Sequence, residues 1–154
     1  VGKPVRLLTK DSPKYPVGGP GALTDGLRGT TDFHCSWLGF EAAPMNAVID
    51  LEEVREINSL SAGFIQDQVS WIWIPDSVTF FISTDGVSFK EVGRVIRRSE
   101  KRWSNVFTET FSCSFPPRRA RYILVTTANN VFCPLWHKGA GGLAWIFCDE
   151  IIVH

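Results

Sequence analysis

Long apolar runs are missing from this 154-residue sequence. No stretch of about 18 apolar residues occurs, so no bilayer-spanning helix and no membrane partner are expected. A charge surplus is missing too. Sixteen Lys plus Arg balance sixteen Asp plus Glu. Phosphate binding draws on a basic excess, so nucleic acid is not an expected partner. Cys35, Cys113, Cys133 and Cys148 form no C-x-x-C pair, which excludes a zinc ribbon or a redox dithiol of that type. There is no G-x-S-x-G elbow, no H-E-x-x-H and no P-loop,. Gly139-Ala140-Gly141-Gly142 lacks the strand and helix that flank a dinucleotide loop,. The three histidines are His34, His137 and His154, and a pair such as Cys133 with His137 arises readily by chance. An eight-fold barrel takes about 250 residues, so this chain is not expected to be an enzyme. Val1 to Lys10 carry no signal-peptide pattern,. The expectation is a cytosolic protein or a fragment of a longer secreted chain.

What is present is an apolar, aromatic, turn-rich chain. Apolar residues make up 44%, with six Trp, eleven Phe, thirteen Gly and nine Pro. That composition fits one domain of short strands and ordered loops rather than helices. Ala47–Leu51 reads as a buried strand. Ile57–Ile65 alternates, with Leu60, Ala62 and Phe64 on one face,. Val78–Thr84 alternates through Val78, Phe80 and Ile82, and Asp85-Gly86 turns it into a strand from Ser88 to Val92,. Val106–Phe115 aligns Phe107, Phe111, Cys113 and Phe115, and Pro116-Pro117 is expected to end it. Arg121–Thr127 and Ala144–Val153 follow, while Glu52–Glu56 reads as a charged turn. About eight strands with almost no helix predict an all-β jelly roll or sandwich over residues 1–154,. The cysteines read as buried small hydrophobes, or as up to two disulfides, with Cys35–Cys133 the pair of choice.

Three kinds of residue cluster stand out. Asp25-Gly26 and Thr30 lie in a Gly-rich turn, and Asp149-Glu150 precede the apolar Ile151–Val153. Carboxylates, a hydroxyl and turn carbonyls are calcium donors, if the chain brings both segments together. Otherwise they are an Asp-Gly turn and a strand-edge acid pair. Trp37, Trp71, Trp73, Trp103, Trp136 and Trp145 fall mostly between strands near polar residues such as Gln66 and His137. Such loops suit a sugar, whose C–H face stacks on an aromatic ring while its hydroxyls find donors and acceptors. The alternative is that each ring plugs the core. The basic segment Arg97, Arg98, Lys101 and Arg102, with Glu100, and the cluster Arg118, Arg119 and Arg121 read as anion sites or solvated loops.

The sequence resembles a coagulation-factor type C (discoidin-like) domain of the family 32 carbohydrate-binding-module kind. The matching residues are Ala22-Leu23-Thr24-Asp25-Gly26 with Thr30, Ala47–Leu51, Pro75–Ser83, Thr84-Asp85-Gly86 with Phe89, Ala120–Ile123 and Asp149-Glu150-Ile151. More narrowly, Tyr15–Gly19, Leu27-Arg28-Gly29, Ser70-Trp71-Ile72 and Trp136–Gly142 are similar to the C-terminal module of bacterial family 20 β-hexosaminidases, the chitobiases. The resemblance implies an eight-stranded jelly-roll sandwich of galactose-binding-domain type and a structural calcium. The calcium is held by the Asp25 and Glu150 carboxylates, the Thr30 hydroxyl and the carbonyls of Ala22, Leu27 and Asp149. It further implies a glycan partner containing galactose or N-acetylhexosamine, a catalytic partner domain, and a periplasmic or cell-surface bacterial location. Trp37, Gln66, Trp71, Trp136 and His137 are the sugar-contact candidates, chosen from composition. A structural module that packs on the catalytic domain is the alternative. A membrane or adhesion type of relative would instead show protruding apolar or basic loop tips.

Overall fold

A computed structural model describes residues 1–15, 17–97, 102 and 105–154. Its strands, in chain order, are β1 (Val5–Leu7), β2 (Leu38–Glu41), β3 (Asn46–Gln66), β4 (Ser77–Ser83), β5 (Lys90–Ile96), β6 (Phe107–Ala128) and β7 (Trp145–Val153). All strand pairings are antiparallel. Two 3-10 turns, Gly19–Thr24 and Gln68–Ser70, are the helical segments among the described residues. This is the expected all-β sandwich.

Two long strands each serve both sheets. The first half of β3 lies between β1 and the second half of β6, which continues to β4 and β5. The second half of β3 lies between the first half of β6 and β7, which continues to β2. Both strands turn the corner at breaks in their shared register. Leu51–Val54 of β3 bulge out between the pairs Asp50↔Tyr122 and Arg55↔Ala120. Glu52 sits there at φ 69°, its N–H donating to Asp50 Oδ1 at 2.7 Å. The charged segment read as a turn is thus a bulged corner inside one continuous strand. The two prolines do not end β6. Between Ile57↔Arg118 and Ser59↔Ser114, residues 115–117 oppose Asn58 alone, and the Asn58 N–H goes to the His154 carbonyl at 2.7 Å. Pro116 and Pro117 therefore occupy a bulge that asks no ladder N–H of them.

The alternating faces land as read. Leu60, Ala62, Phe64, Val78, Phe80, Ile82, Phe111, Ile123 and Val125 fill the core between the sheets, with Phe107, Cys113 and Phe115 packed against it. A second apolar cluster of Trp37, Ile65, Ile72, Trp145 and Phe147 is covered by Tyr15, Phe33 and Trp71. The Gly- and Pro-rich first third thereby lays loops against the sandwich. All four cysteines are free. Cys35 is exposed while Cys133 is buried beside Trp73 and Ala144, so the Cys35–Cys133 disulfide does not form. Burial pushes the Cys113, Cys133 and Cys148 thiols up, which makes them poor nucleophiles. Arg118, Arg119 and Arg121 lie on β6, not in a loop, and Arg121 grips Asp50 with two hydrogen bonds of 2.8 and 2.9 Å.

Candidate functional site

The Asp25 loop and the Asp149-Glu150 pair do meet. Leu23 is fully buried in the core at the end of the first 3-10 turn, which anchors Asp25 directly after it. On the other side, β7 carries a bulge. Ala62 pairs with Ile151 but Phe64 with Cys148, so Asp149 and Glu150 stand opposite Gly63. Such a bulge re-aims side chains. Glu150 Oε2 accepts from the Gly26 N–H at 3.2 Å. Asp149 Oδ2 accepts from the Gly29 N–H at 2.9 Å and faces Arg28 Nε at 3.4 Å. Asp25 Oδ1 accepts from the Leu27 N–H at 2.8 Å. Thr30 Oγ1 accepts from the Asp32 N–H at 3.2 Å. Ala22 lies buried in the 3-10 turn and Leu27 is exposed on the loop.

The electrostatics there suit a cation. Burial raises the pKa of Glu150, and the neighbouring Asp25 and Asp149 charges raise it further. Burial likewise raises that of Asp149, against its hydrogen bonds and Arg28. Among the described residues no three His, Cys, Asp or Glu side chains converge to hold a metal. An ion here would lean on two carboxylates plus hydroxyl and carbonyl oxygens. That donor set fits calcium, which takes six to eight oxygens, and not a thiolate- or imidazole-seeking metal.

The aromatic candidates separate. Trp37 is wholly buried, its Nε1–H donating to the Thr30 carbonyl at 3.0 Å and its ring lying against Gly29. It is a core residue that braces the Asp25 loop, not a sugar contact. Gln66 is also buried, with its Oε1 unpartnered, and no surface ligand can reach it. Trp73 and Trp145 are buried as well. Trp103, with Arg98, Glu100, Lys101 and the Pro16 of the Tyr15–Gly19 motif, lies outside the described residues. Arg97 pairs with Glu109 at 2.8 Å.

Trp71 and Trp136 are partly exposed and meet at one end of the sandwich through His137, Trp71 also packing on both smaller apolar clusters. Trp71 adopts φ 67°, ψ 28°, a left-handed backbone that a bulky side chain rarely takes,. The second 3-10 turn imposes it, through the Trp71 N–H donating to the Gln68 carbonyl at 3.2 Å. The indole lies on the backbone of Gly139 and Gly142, where a Cβ would come within 2.5 Å of the ring. That close approach is what two glycines allow. Trp136 carries the Arg102 guanidinium 5.5 Å from its ring centre. His137 is buried between the loops. It touches Trp71, Trp73 and Trp136 edge-on, at centroid distances of 6.2, 5.1 and 5.9 Å. Around them Leu135 is 94%, Val69 62% and Phe132 57% exposed, so the loop tips are apolar.

A further ring cluster, exposed only at His34, escaped the sequence reading. Phe33 and His34 stack at 4.1 Å, with Tyr15 edge-on to Phe33 and tilted against His34. Asp32 Oδ1 accepts from the His34 N–H at 3.0 Å and contacts its Nδ1 at 2.8 Å. Asp32-Phe33-His34, an Asx residue followed by two rings, was the available signal.

The chain shares its β-sandwich fold with solved carbohydrate-binding modules. No family model and no curated protein matches the chain. Among solved structures it is similar to chitosan-binding module 1 of a chitosanase/glucanase from Paenibacillus sp. IK-5, at 14% identity and TM-score 0.66, over 100% of this chain and 96% of that one. It is similar to CpGH89CBM32-5 from Clostridium perfringens, in complex with GalNAc-β-1,3-galactose, at 14% identity and TM-score 0.58, over 99% and 94%. It also matches a quarter of a Ruminococcus gnavus GH29 fucosidase, at 14% identity and TM-score 0.64, covering 99% of this chain and 25% of that one.

Proposed function

We propose that this chain is a non-catalytic carbohydrate-binding module that holds a glycan on Trp71 and Trp136. The observation that carries the reading is Trp71. A strained backbone and two glycines fix a half-exposed indole at a loop end, which is costly unless the ring has a task. A shallow site gains stacking plus a few hydrogen bonds of about 0.5–1.5 kcal/mol each. The expected Kd is on the order of 0.1–1 mM, useful to a tethered enzyme through effective concentration. The bound ion in this reading is a structural calcium on Asp25, Thr30 and Glu150 with carbonyls of Ala22, Leu27 and Asp149. The resemblance of Trp136–Gly142 and Ser70–Ile72 to chitobiase modules supports a secreted β-N-acetylhexosaminidase as parent.

A second reading, a module that packs on a catalytic domain without binding sugar, draws on the exposed Val69, Phe132 and Leu135. A membrane-type relative would present similar tips. A glycan array on the chain, with liposome co-sedimentation in parallel, tests all three. Saturable glycan binding lost in Trp71→Ala and Trp136→Ala upholds the carbohydrate reading. Retained glycan binding in both variants refutes this site, and lipid binding without glycan binding replaces the reading.

A further inference from the structure

We propose that His137 is the positioning residue of the aromatic end, a neutral imidazole that ties its own loop to the Gln68–Ser70 turn and, when it is protonated, releases the Gly139 loop from beneath Trp71. The inference rests on the reading of Trp71 and Trp136 as the platform. His137 Nε2 lies 2.6 Å from the Gln68 carbonyl, which can only accept, so Nε2 carries the proton. The Gly139 N–H donates to Nδ1 at 3.0 Å, so Nδ1 is the bare acceptor. Together these partners define one neutral tautomer. The Gln68 bond ties the turn that sets Trp71 to the loop that carries His137, and the Gly139 bond shapes that loop from within, where Gly139 and Gly142 lie beneath the Trp71 ring. No other side chain touches all three of Trp71, Trp73 and Trp136 in the ring contacts of the described residues.

Adding a proton to Nδ1 sets one N–H against the Gly139 N–H. The acceptor is lost, and a charge is placed in a buried site whose ring partners are neutral backbone groups. The charged groups on adjoining elements do not offset it. The Asp67 carboxylate is taken by the Ser70 hydroxyl at 2.6 Å and by the Ser70 N–H. Arg102 lies over Trp136, and Lys138 is exposed. The Gly139 loop then leaves the Trp71 ring, and the platform loses its shape without the sandwich unfolding.

The test needs no sugar at first. Long-range proton–nitrogen NMR at neutral pH should show His137 protonated at Nε2 and bare at Nδ1. Near-ultraviolet circular dichroism from Trp should fall on acidification while the far-ultraviolet signal holds. His137→Gln can still donate to the Gln68 carbonyl and cannot gain a proton. It should keep the Trp signal and abolish the acid transition, while His137→Ala should lack the signal throughout. Binding of GalNAc-β-1,3-galactose should weaken about tenfold across the transition, the worth of one lost hydrogen bond. An acid transition unchanged in His137→Gln, or a proton on Nδ1 at neutral pH, overturns the clamp. The expected transition with no glycan bound by wild type at any pH, neither this disaccharide nor any on the array, upholds the clamp and overturns the platform reading.

Discussion

Gly63→Ala is a one-carbon change whose effect can be worked out. A Cβ at 63 would lie 2.9 Å from Asp149 Cγ and 3.0 Å from Oδ2, inside the roughly 3.5–4.0 Å of a normal contact. Backbone cannot yield there, because Gly63 pairs with Thr110 in the centre of the sheet. The carboxyl must swing away, and it leaves the Glu150 N–H at 2.5 Å and the Gly29 N–H at 2.9 Å. Hydrogen bonds to a charged group contribute about 1.5–3 kcal/mol each. Partial rebonding and water recover some of that, and Gly→Ala in a strand returns about 0.5–1 kcal/mol. The net loss should be roughly 2–4 kcal/mol, or about 5–15 °C in Tm for a chain of this size. Scanning calorimetry on Gly63→Ala, Asp149→Ala and the double variant measures it. The double variant should be no less stable than Asp149→Ala alone, because the clash has lost its partner. Additive losses, or an unmoved Tm in Gly63→Ala, would refute the role given to Asp149.

Calcium should raise the Tm and chelator lower it, by about 2.7 kcal/mol of stability at a hundredfold excess over Kd, and Asp25→Ala should remove the response. Without calcium, Glu150 has a folded pKa raised by burial and by Asp25, so its ionised form costs stability above that pKa and the cost is relieved as pH falls through it. Tm should therefore rise on mild acidification from neutral, and Glu150→Gln should flatten the rise. The opposite trend belongs to Asp50, lowered by Arg121, and Asp85, lowered to about 2 by backbone N–H groups; their stabilisation is lost only below the usual carboxylate range. Trp37→Phe should lower Tm and speed amide exchange at Gly29 while leaving glycan affinity unchanged; an affinity loss at unchanged Tm would reinstate Trp37 as a contact.

Side-chain alternation located the core because the period of two is written residue by residue, as in Leu60-Ser61-Ala62-Gly63-Phe64,. It did not show that Ala47–Leu51 and Ile57–Ile65 are one strand, since a bulge leaves a charged gap that reads as a turn. Pro116-Pro117 misled for the same reason. The short strands Val5–Leu7 and Leu38–Glu41 carry too few residues to alternate visibly. At the site, Asp25 and Glu150 were legible as donors, but the work of the Asp149 carboxyl depends on the bulge opposite Gly63. Among the tryptophans, composition could not tell Trp37 from Trp71. What separates them is a glycine against a ring in each case, one ring shut in by the Asp25 loop and the other left half open.

Strands shared between the sheets also govern the order in which the molecule can be made. Asn46 pairs with Thr126, and Gln66 with Phe107, so the first half of β3 meets its principal neighbour only after nearly the whole chain exists. Such distant pairings slow folding, to milliseconds or seconds in β-rich domains. A growing chain would present Ala47–Leu51 as an open, apolar edge until β6 follows, the kind of edge that invites pairing with other chains,.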